Sequence, residues 1–316
     1  MFRILTILIN LFFLNLYATE HITPLPLEIN YDKEKALLGK KLYFDPILSK
    51  DNSVSCASCH NLELGGVDNL KFSYGVEGKV GNVNTPTVLN AIYNFRQMWD
   101  GRAKNLSHQI QFPITNPKEM GNNFKNIVDT LENDSYYNKI FHKIYKDGIN
   151  KENIGNALEE FQKTLVTPSP FDDYLRGNKD ALTKNQKKGY ELFQKKGCVS
   201  CHNGINLGGG LYARFGLIDN SIIESLENEN KLGEPNPHFG LFNITKNDFD
   251  KYYFKVPSLR NVALTGPYLH DGRVETLKEA IKSIAKAQLG LDLTKEEIFL
   301  IEEFLKSLNG KVTIIE

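Results

Sequence analysis

Apolar residues recur at helical spacing in several stretches of the chain. Residues 32–44, DKEKALLGKKLYF, place Leu37, Leu38 and Tyr43 on one face, and residues 183–197 do the same with Tyr190 and Phe193. Residues 151–166, KENIGNALEEFQKTLV, form an amphipathic pattern that ends at TPSP, where two prolines forbid continuation. Two further helices are predicted over 274–288 and 294–310. The latter has Thr294 as N-cap, Glu297 three positions on, and Asn309-Gly310 as its stop. Strand patterns are few. The chain is therefore expected to be mainly α, with long loops.

One stretch breaks this amphipathic pattern. Residues 1–18 have a basic start at Arg3, an apolar run, and Ala18 before TEH. That layout predicts a cleaved secretory leader, with an uncleaved anchor as the alternative. No other stretch approaches spanning length, so an exported protein without a membrane span after leader removal is expected. Composition fits a folded domain, at 41% hydrophobic and 24% charged residues. Lys plus Arg and Asp plus Glu are 38 each, so no net field invites nucleic acid or an anionic surface.

The chemistry lies in four cysteines, all within two copies of one word: SCASCH at 55–60 and GCVSCH at 197–202. Two disulfides are the usual inference for an exported chain. A pair separated by two residues closes too small a loop to gain much from it, and each pair is followed at once by a histidine. Zinc is another possible occupant of such thiolates and imidazoles. The favoured expectation is covalent c-type haem: the thiols add to the porphyrin vinyl groups and the adjacent imidazole ligates iron. Cys56, Cys59 and His60 would hold one haem, and Cys198, Cys201 and His202 a second. A large flat apolar cofactor also gives long loops a core they would otherwise lack.

An internal repeat supports two haem units. PTVLNAIYNFRQMWDGR (86–102) aligns without gaps on PSLRNVALTGPYLHDGR (257–273), pairing Pro86 with Pro257, Asn90 with Asn261, and DGR with DGR. Two homologous haem domains joined near 167–182 account for it. The expected division is leader 1–18, N-terminal domain 19–167 and C-terminal domain 168–316.

These residues, with LGKKLYFDPILS, NPKEM and AQLG, resemble the bacterial di-haem cytochrome c peroxidases, a superfamily that includes MauG-like enzymes. The resemblance covers nearly all the chain after residue 18. It implies a periplasmic oxidoreductase, with an N-terminal peroxidatic haem that reduces hydrogen peroxide to water. A C-terminal haem would receive electrons from a small donor such as a monohaem cytochrome c. It assigns acid–base catalysis to Glu119, peroxide orientation to Gln109 and electron passage to Trp99. It also implies one calcium ion on Asn84 and the carbonyls of Thr265 and Pro267, and a homodimer. Taken alone, NPKEM is a helix start, with Asn116 as N-cap, Pro117 at N1 and Glu119 closing a capping box. Trp99 alone is a core aromatic. His108, His142 and His238 are expected to be surface or structural. His270, at the repeat position of Trp99, could face the second haem, but a buried hydrogen-bonded role is expected ahead of ligation.

Two positions depart from the family pattern. FSYGVEG has Val76 where many relatives have a histidine that caps the peroxidatic iron, and EAIKSIAKAQLG has Ile284 where relatives place a methionine ligand. The first change predicts an open peroxidatic haem; the second predicts a C-terminal haem without Met ligation and with a lower potential. They keep two other functions in view: a MauG-like oxidase acting on a protein or organic substrate, and a di-haem electron carrier.

Overall fold

The computed structural model describes residues 22–228 and 235–316. The leader expected over 1–18 lies outside them. The helices are α1 (Lys33–Phe44), α2 (Cys56–Cys59), α3 (Leu106–Thr115), α4 (Phe124–Asn133), α5 (Ser135–Ile144), α6 (Lys151–Lys163) and α7 (Pro170–Leu175). They continue with α8 (Lys184–Lys195), α9 (Ser221–Asn228), α10 (Phe242–Thr245), α11 (Leu277–Leu289) and α12 (Lys295–Lys306). Two short strands, β1 (Tyr212–Arg214) and β2 (Tyr253–Lys255), pair antiparallel, with Tyr212 opposite Lys255. The fold is mainly α with long loops, as the pattern predicts.

Each helix predicted from apolar periodicity forms. Thr294 caps α12, its side chain accepting from the Glu297 N–H, while Glu297 accepts from the Thr294 N–H. The helix stops at Lys306, earlier than Asn309-Gly310 suggested. The pattern did not delimit α3, α4 or α5, each capped at its start by an Asn or Asp side chain.

Two helix pairs are built alike. α1 crosses α6 at Gly39, where an added Cβ would lie 1.9 Å from the Ala157 carbonyl oxygen and 2.9 Å from Phe161 Cβ. α8 crosses α12 at Gly189, where the distances to the Leu300 oxygen and Phe304 Cβ are also 1.9 and 2.9 Å. A side chain there would hold the helices apart, so glycine is required by close approach. Around each crossing lies an apolar cluster, one including Leu42, Tyr43, Phe141 and Phe161, the other Phe171, Tyr190, Phe193 and Phe304.

The repeat also forms alike at the backbone. Asn90 and Asn261 are left-handed, with φ 59° and 60°, and each opens a 3₁₀ turn. Their side-chain amides both donate to Thr167 Oγ1, at 2.8 and 2.7 Å, in a fully buried position. The first and last described segments cross over. Residues 22–25 pack on the second cluster side, where the Leu25 N–H donates to Asp172 (2.7 Å) and Asp172 pairs with Arg260 (2.7 Å). Val312, Ile314 and Ile315 pack on the first cluster. Among the described residues, no helix is long and apolar enough to cross a membrane.

Candidate active site

Each cysteine word lines a cavity, and the two cavities share one wall. The first is lined by Cys56, Cys59, His60, Gln109 and Glu119; the second by Cys198, Cys201, His202, Trp99 and Ile284. Residues 85–87 line both. Along the next tract of that wall, Gln97 and Met98 face the first cavity and Trp99 the second.

The cysteines are unpaired, and burial raises the Cys56 thiol to about 12 and those of Cys59 and Cys198 to about 11. Such thiols are protonated, unlike the exposed, activated cysteines of redox enzymes. The histidines are prepared as ligands. His60 Nδ1 lies 3.2 Å from the Gly66 carbonyl oxygen, and His202 Nδ1 lies 3.2 Å from that of Leu207. A carbonyl can only accept, so Nδ1 carries the proton and Nε2 keeps its lone pair. The carbonyls of Pro86 and Pro257, the paired prolines of the repeat, also raise the proton affinity of these rings. Burial lowers both imidazoles, that of His202 to about 4, so both are neutral at physiological pH. Two unpaired thiols, a neutral oriented imidazole and a largely apolar cavity at each word fit a covalently attached haem.

Glu119 reaches the first cavity by a route different from the expected one. α3 ends at Thr115, and Asn116 is its C-cap, its N–H bonded to the Phe112 carbonyl. NPKEM is therefore not a helix start; Pro113 lies within the preceding helix, and residues 116–121 fold back onto its end. The N–H groups of Met120 and Asn122 bond to the carbonyls of Pro113 and Ile114, satisfying acceptors that a helix end leaves open. No capping box forms. Instead Asn116 Nδ2 donates to Glu119 Oε1 at 2.6 Å. Burial holds the Glu119 carboxyl above its ordinary value, against the Asn116 hydrogen bond and the positive charge of Arg102, which pull it down. Gln109, on α3, lines the same cavity and is half-buried.

Val76 is buried and does not line the first cavity. Its N–H donates to the Glu119 carbonyl (2.8 Å), and at Gly75 an added Cβ would sit 2.1 Å from the Lys118 carbonyl oxygen. The segment around them is thus strapped directly to the backbone that carries Glu119.

Trp99 is half-buried, and its Nε1 donates to the Asn84 carbonyl (2.8 Å). Asn84, Thr265 and Pro267 each line the second cavity, and the Asn84 amide nitrogen donates to Leu70 O at 2.9 Å. His270 is buried, with Nε2 2.8 Å from His238 Nδ1, as expected for a hydrogen-bonded role. His238 is buried too, which excludes a surface position. Sequence reasoning missed Lys255, a buried lysine on β2 that lines the second cavity. The one signal was its place inside the apolar run YYFKV.

Comparison with known proteins agrees with this architecture. Residues 33–180 match the family described as di-haem cytochrome c peroxidase. The chain is 45% identical over 300 residues to cytochrome c peroxidase Ccp of Escherichia coli (strain K12), covering 94% of this chain and 63% of that one. It therefore spans less than two thirds of that relative. It is 41% identical to cytochrome c551 peroxidase of Nitrosomonas europaea, covering 93% of this chain and 85% of that one. The crystal structure of a MauG-like protein associated with microbial copper homeostasis superposes with a TM-score of 0.76 at 28% identity, over 91% and 93% of the two chains. The haem words, the paired cavities and these similarities agree, and the chain belongs to the di-haem cytochrome c peroxidase family.

Proposed function

We propose that this protein is an exported cytochrome c peroxidase that reduces hydrogen peroxide at its first haem, with electrons received at its second from a small redox protein such as a monohaem cytochrome c. The observation that carries this reading is the pairing of Glu119 and Gln109 in the cavity of Cys56, Cys59 and His60. An electron carrier has no use for a proton-moving carboxylate there. The haem, when bound, supplies an iron position and the electrons. The remaining work falls to side chains.

Peroxide takes up two electrons and two protons and leaves as two waters, so a proton must reach the departing oxygen. Glu119 Oε1 is held by Asn116, leaving Oε2 to take a proton from the near oxygen and return it to the far one. Burial of Glu119 brings its proton affinity closer to the operating pH, which favours both halves of that transfer. Gln109 orients the peroxide through its amide. Val76 has no donor atom, so it offers no ligand to the first haem, which would need no prior reduction of the second to admit peroxide. Trp99, in the shared wall, passes electrons between the cavities. Asn84 and the carbonyls of Thr265 and Pro267 hold a calcium ion, for which hard oxygen donors are suited. The chain divides into haem domains over 19–167 and 168–316 and acts in the periplasm as a homodimer.

The test is peroxide consumption with a pre-reduced small c-type cytochrome, for the wild type and Glu119→Gln. Turnover that collapses in the variant, with both haems retained, supports the reading; no turnover in the wild-type holoprotein overturns it. Electron paramagnetic resonance of the oxidised protein checks that the first haem is open, and a purely low-spin spectrum would contradict it. Ile284 favours a second reading, a MauG-like oxidase. A haem without a soft sulfur ligand is a poorer acceptor from a high-potential donor. Oxidation of a protein or organic substrate without cytochrome turnover would select it.

A further inference from the structure

Lys255 is the feature of the second cavity that the peroxidase reading leaves unexplained. Its residue is 7% exposed, and its backbone is fixed twice: by pairing with Tyr212 across β1–β2, and by an N–H bond to the Trp99 carbonyl at 3.0 Å. No Asp or Glu is among the residues lining the cavity. Among the described residues none forms an ion pair or hydrogen bond with the Lys255 ammonium, and burial alone, with no charge or hydrogen bond opposing it, pulls this amine down to about 8. The other buried cation, Arg260, is by contrast matched by Asp172. An ammonium sealed in an apolar cavity without a counter-ion costs several kcal/mol, so such lysines are neutral or await an anion.

The cavity's expected occupant brings that anion. A porphyrin attached through its vinyl groups at Cys198 and Cys201 carries two propionate carboxylates elsewhere on its rim. Lys255 follows Phe254 and precedes Val256 and Pro257 along one cavity wall, with Trp99 beside it. We propose that Lys255 is the counter-ion of the second haem: its Nζ binds one porphyrin carboxylate, fixes the ring beside Trp99, and raises the reduction potential of that haem. The inference rests on residues 197–202 being a haem attachment site. A fixed positive charge favours the reduced haem, which is the more negative state. It therefore offsets part of what is lost at Ile284.

The experiment uses the holoprotein as wild type, Lys255→Met and Lys255→Arg, with the two haem midpoints measured by spectroelectrochemical titration. Mass and Soret absorbance are recorded first; a wild type without two haems overturns the attachment reading itself. With both haems present, Lys255→Met lowers the second midpoint by about tenfold in the reduction equilibrium, about 59 mV for one electron. Lys255→Arg restores it, and the first midpoint does not move. If the Met variant does not accumulate, Lys255→Gln carries the same expectation. An unchanged second midpoint overturns the proposal. So does a change of spin state at the second haem in Lys255→Met, which would make the amine an iron ligand instead.

Discussion

The two cavities share their haem-holding side and differ in nearly everything else. Each has two thiols, an imidazole whose Nδ1 is tied to a carbonyl at 3.2 Å, and a proline carbonyl from the repeated block. The first then adds Glu119 and Gln109, with the exposed Lys118 at its edge, while the second adds Ile284, Ala285 and Leu289 from α11 and a buried cation, Lys255. Duplication has kept what holds and orients a porphyrin. What faces the rest of the cavity has diverged, toward proton transfer in one and toward an apolar, cation-bearing enclosure in the other. Reaction chemistry is set by these differing residues, because haem attachment alone does not distinguish a peroxidase from a carrier.

The largest expected effect removes that distinction. Glu119→Gln keeps the shape of the side chain and its contact with Asn116 while abolishing proton transfer. Peroxide turnover should fall by about 10²–10⁴-fold, the usual contribution of a positioned acid–base group. Absorbance of both haems should be unchanged. A loss below tenfold would mean that the first cavity differs from the second by something other than its carboxylate.

The next prediction concerns what joins the two halves. Thr167 Oγ1 accepts from both Asn90 and Asn261, the matched residues of the repeat. Thr167→Val leaves two buried amide donors without that acceptor, which should cost roughly 2–6 kcal/mol at about 1–3 per orphaned group. Urea unfolding followed at each helix pair separately is the measurement. Loss of stability in only one pair would show that Thr167 belongs to that half alone.

A methionine at position 284 would make the second cavity more like that of sulfur-ligated relatives. Ile284 lines that cavity, and Ile284→Met nearly conserves volume. The second midpoint should rise by more than tenfold in its equilibrium, above about 59 mV, with a sulfur-to-iron band appearing in the oxidised spectrum. The wild type should lack that band.

These contrasts were unequally visible in the sequence. The cysteine words and the block from Pro86 to Arg102 were legible because covalent attachment and tight turns demand fixed residue types at fixed spacing. The helices with strong caps, such as the one begun by Thr294, were legible for the same reason. Glu119 was found through family resemblance, and its local pattern pointed the wrong way: Asn-Pro followed by Glu reads as a helix start, yet Asn116 ends α3. Tertiary closure of residues 116–121 onto the preceding turn decided the outcome, and no local pattern encodes it. Lys255 was invisible for a related reason. A lysine in an apolar run is ordinarily an exposed position on an edge, and only the assembled cavity shows that its head group is enclosed. The crossing of the first and last described segments onto opposite clusters likewise depends on contacts such as Leu25 with Asp172, which are far apart in sequence.

The smallest effect probes the paired DGR turns. Arg102 pairs with Asp100 at 2.8 Å, and Arg273 pairs with Asp271 in the same way. Only Arg102 acts on the carboxyl proposed for acid–base work, since its charge lowers the proton affinity of Glu119. Glu119 must be ionised to accept the peroxide proton, so turnover should fall as pH drops through its value. Burial places that acid limb above the ordinary glutamate value of about 4.3. Arg102→Gln removes the cation that lowers the proton affinity of Glu119, which favours the protonated form. The acid limb should therefore move to higher pH, and only modestly because Arg102 is partly exposed. Arg273→Gln, its counterpart beside the second cavity, should leave the limb where it is. Equal shifts from both substitutions would mean that the limb reports the overall charge of the protein, and Glu119 would lose its claim to it.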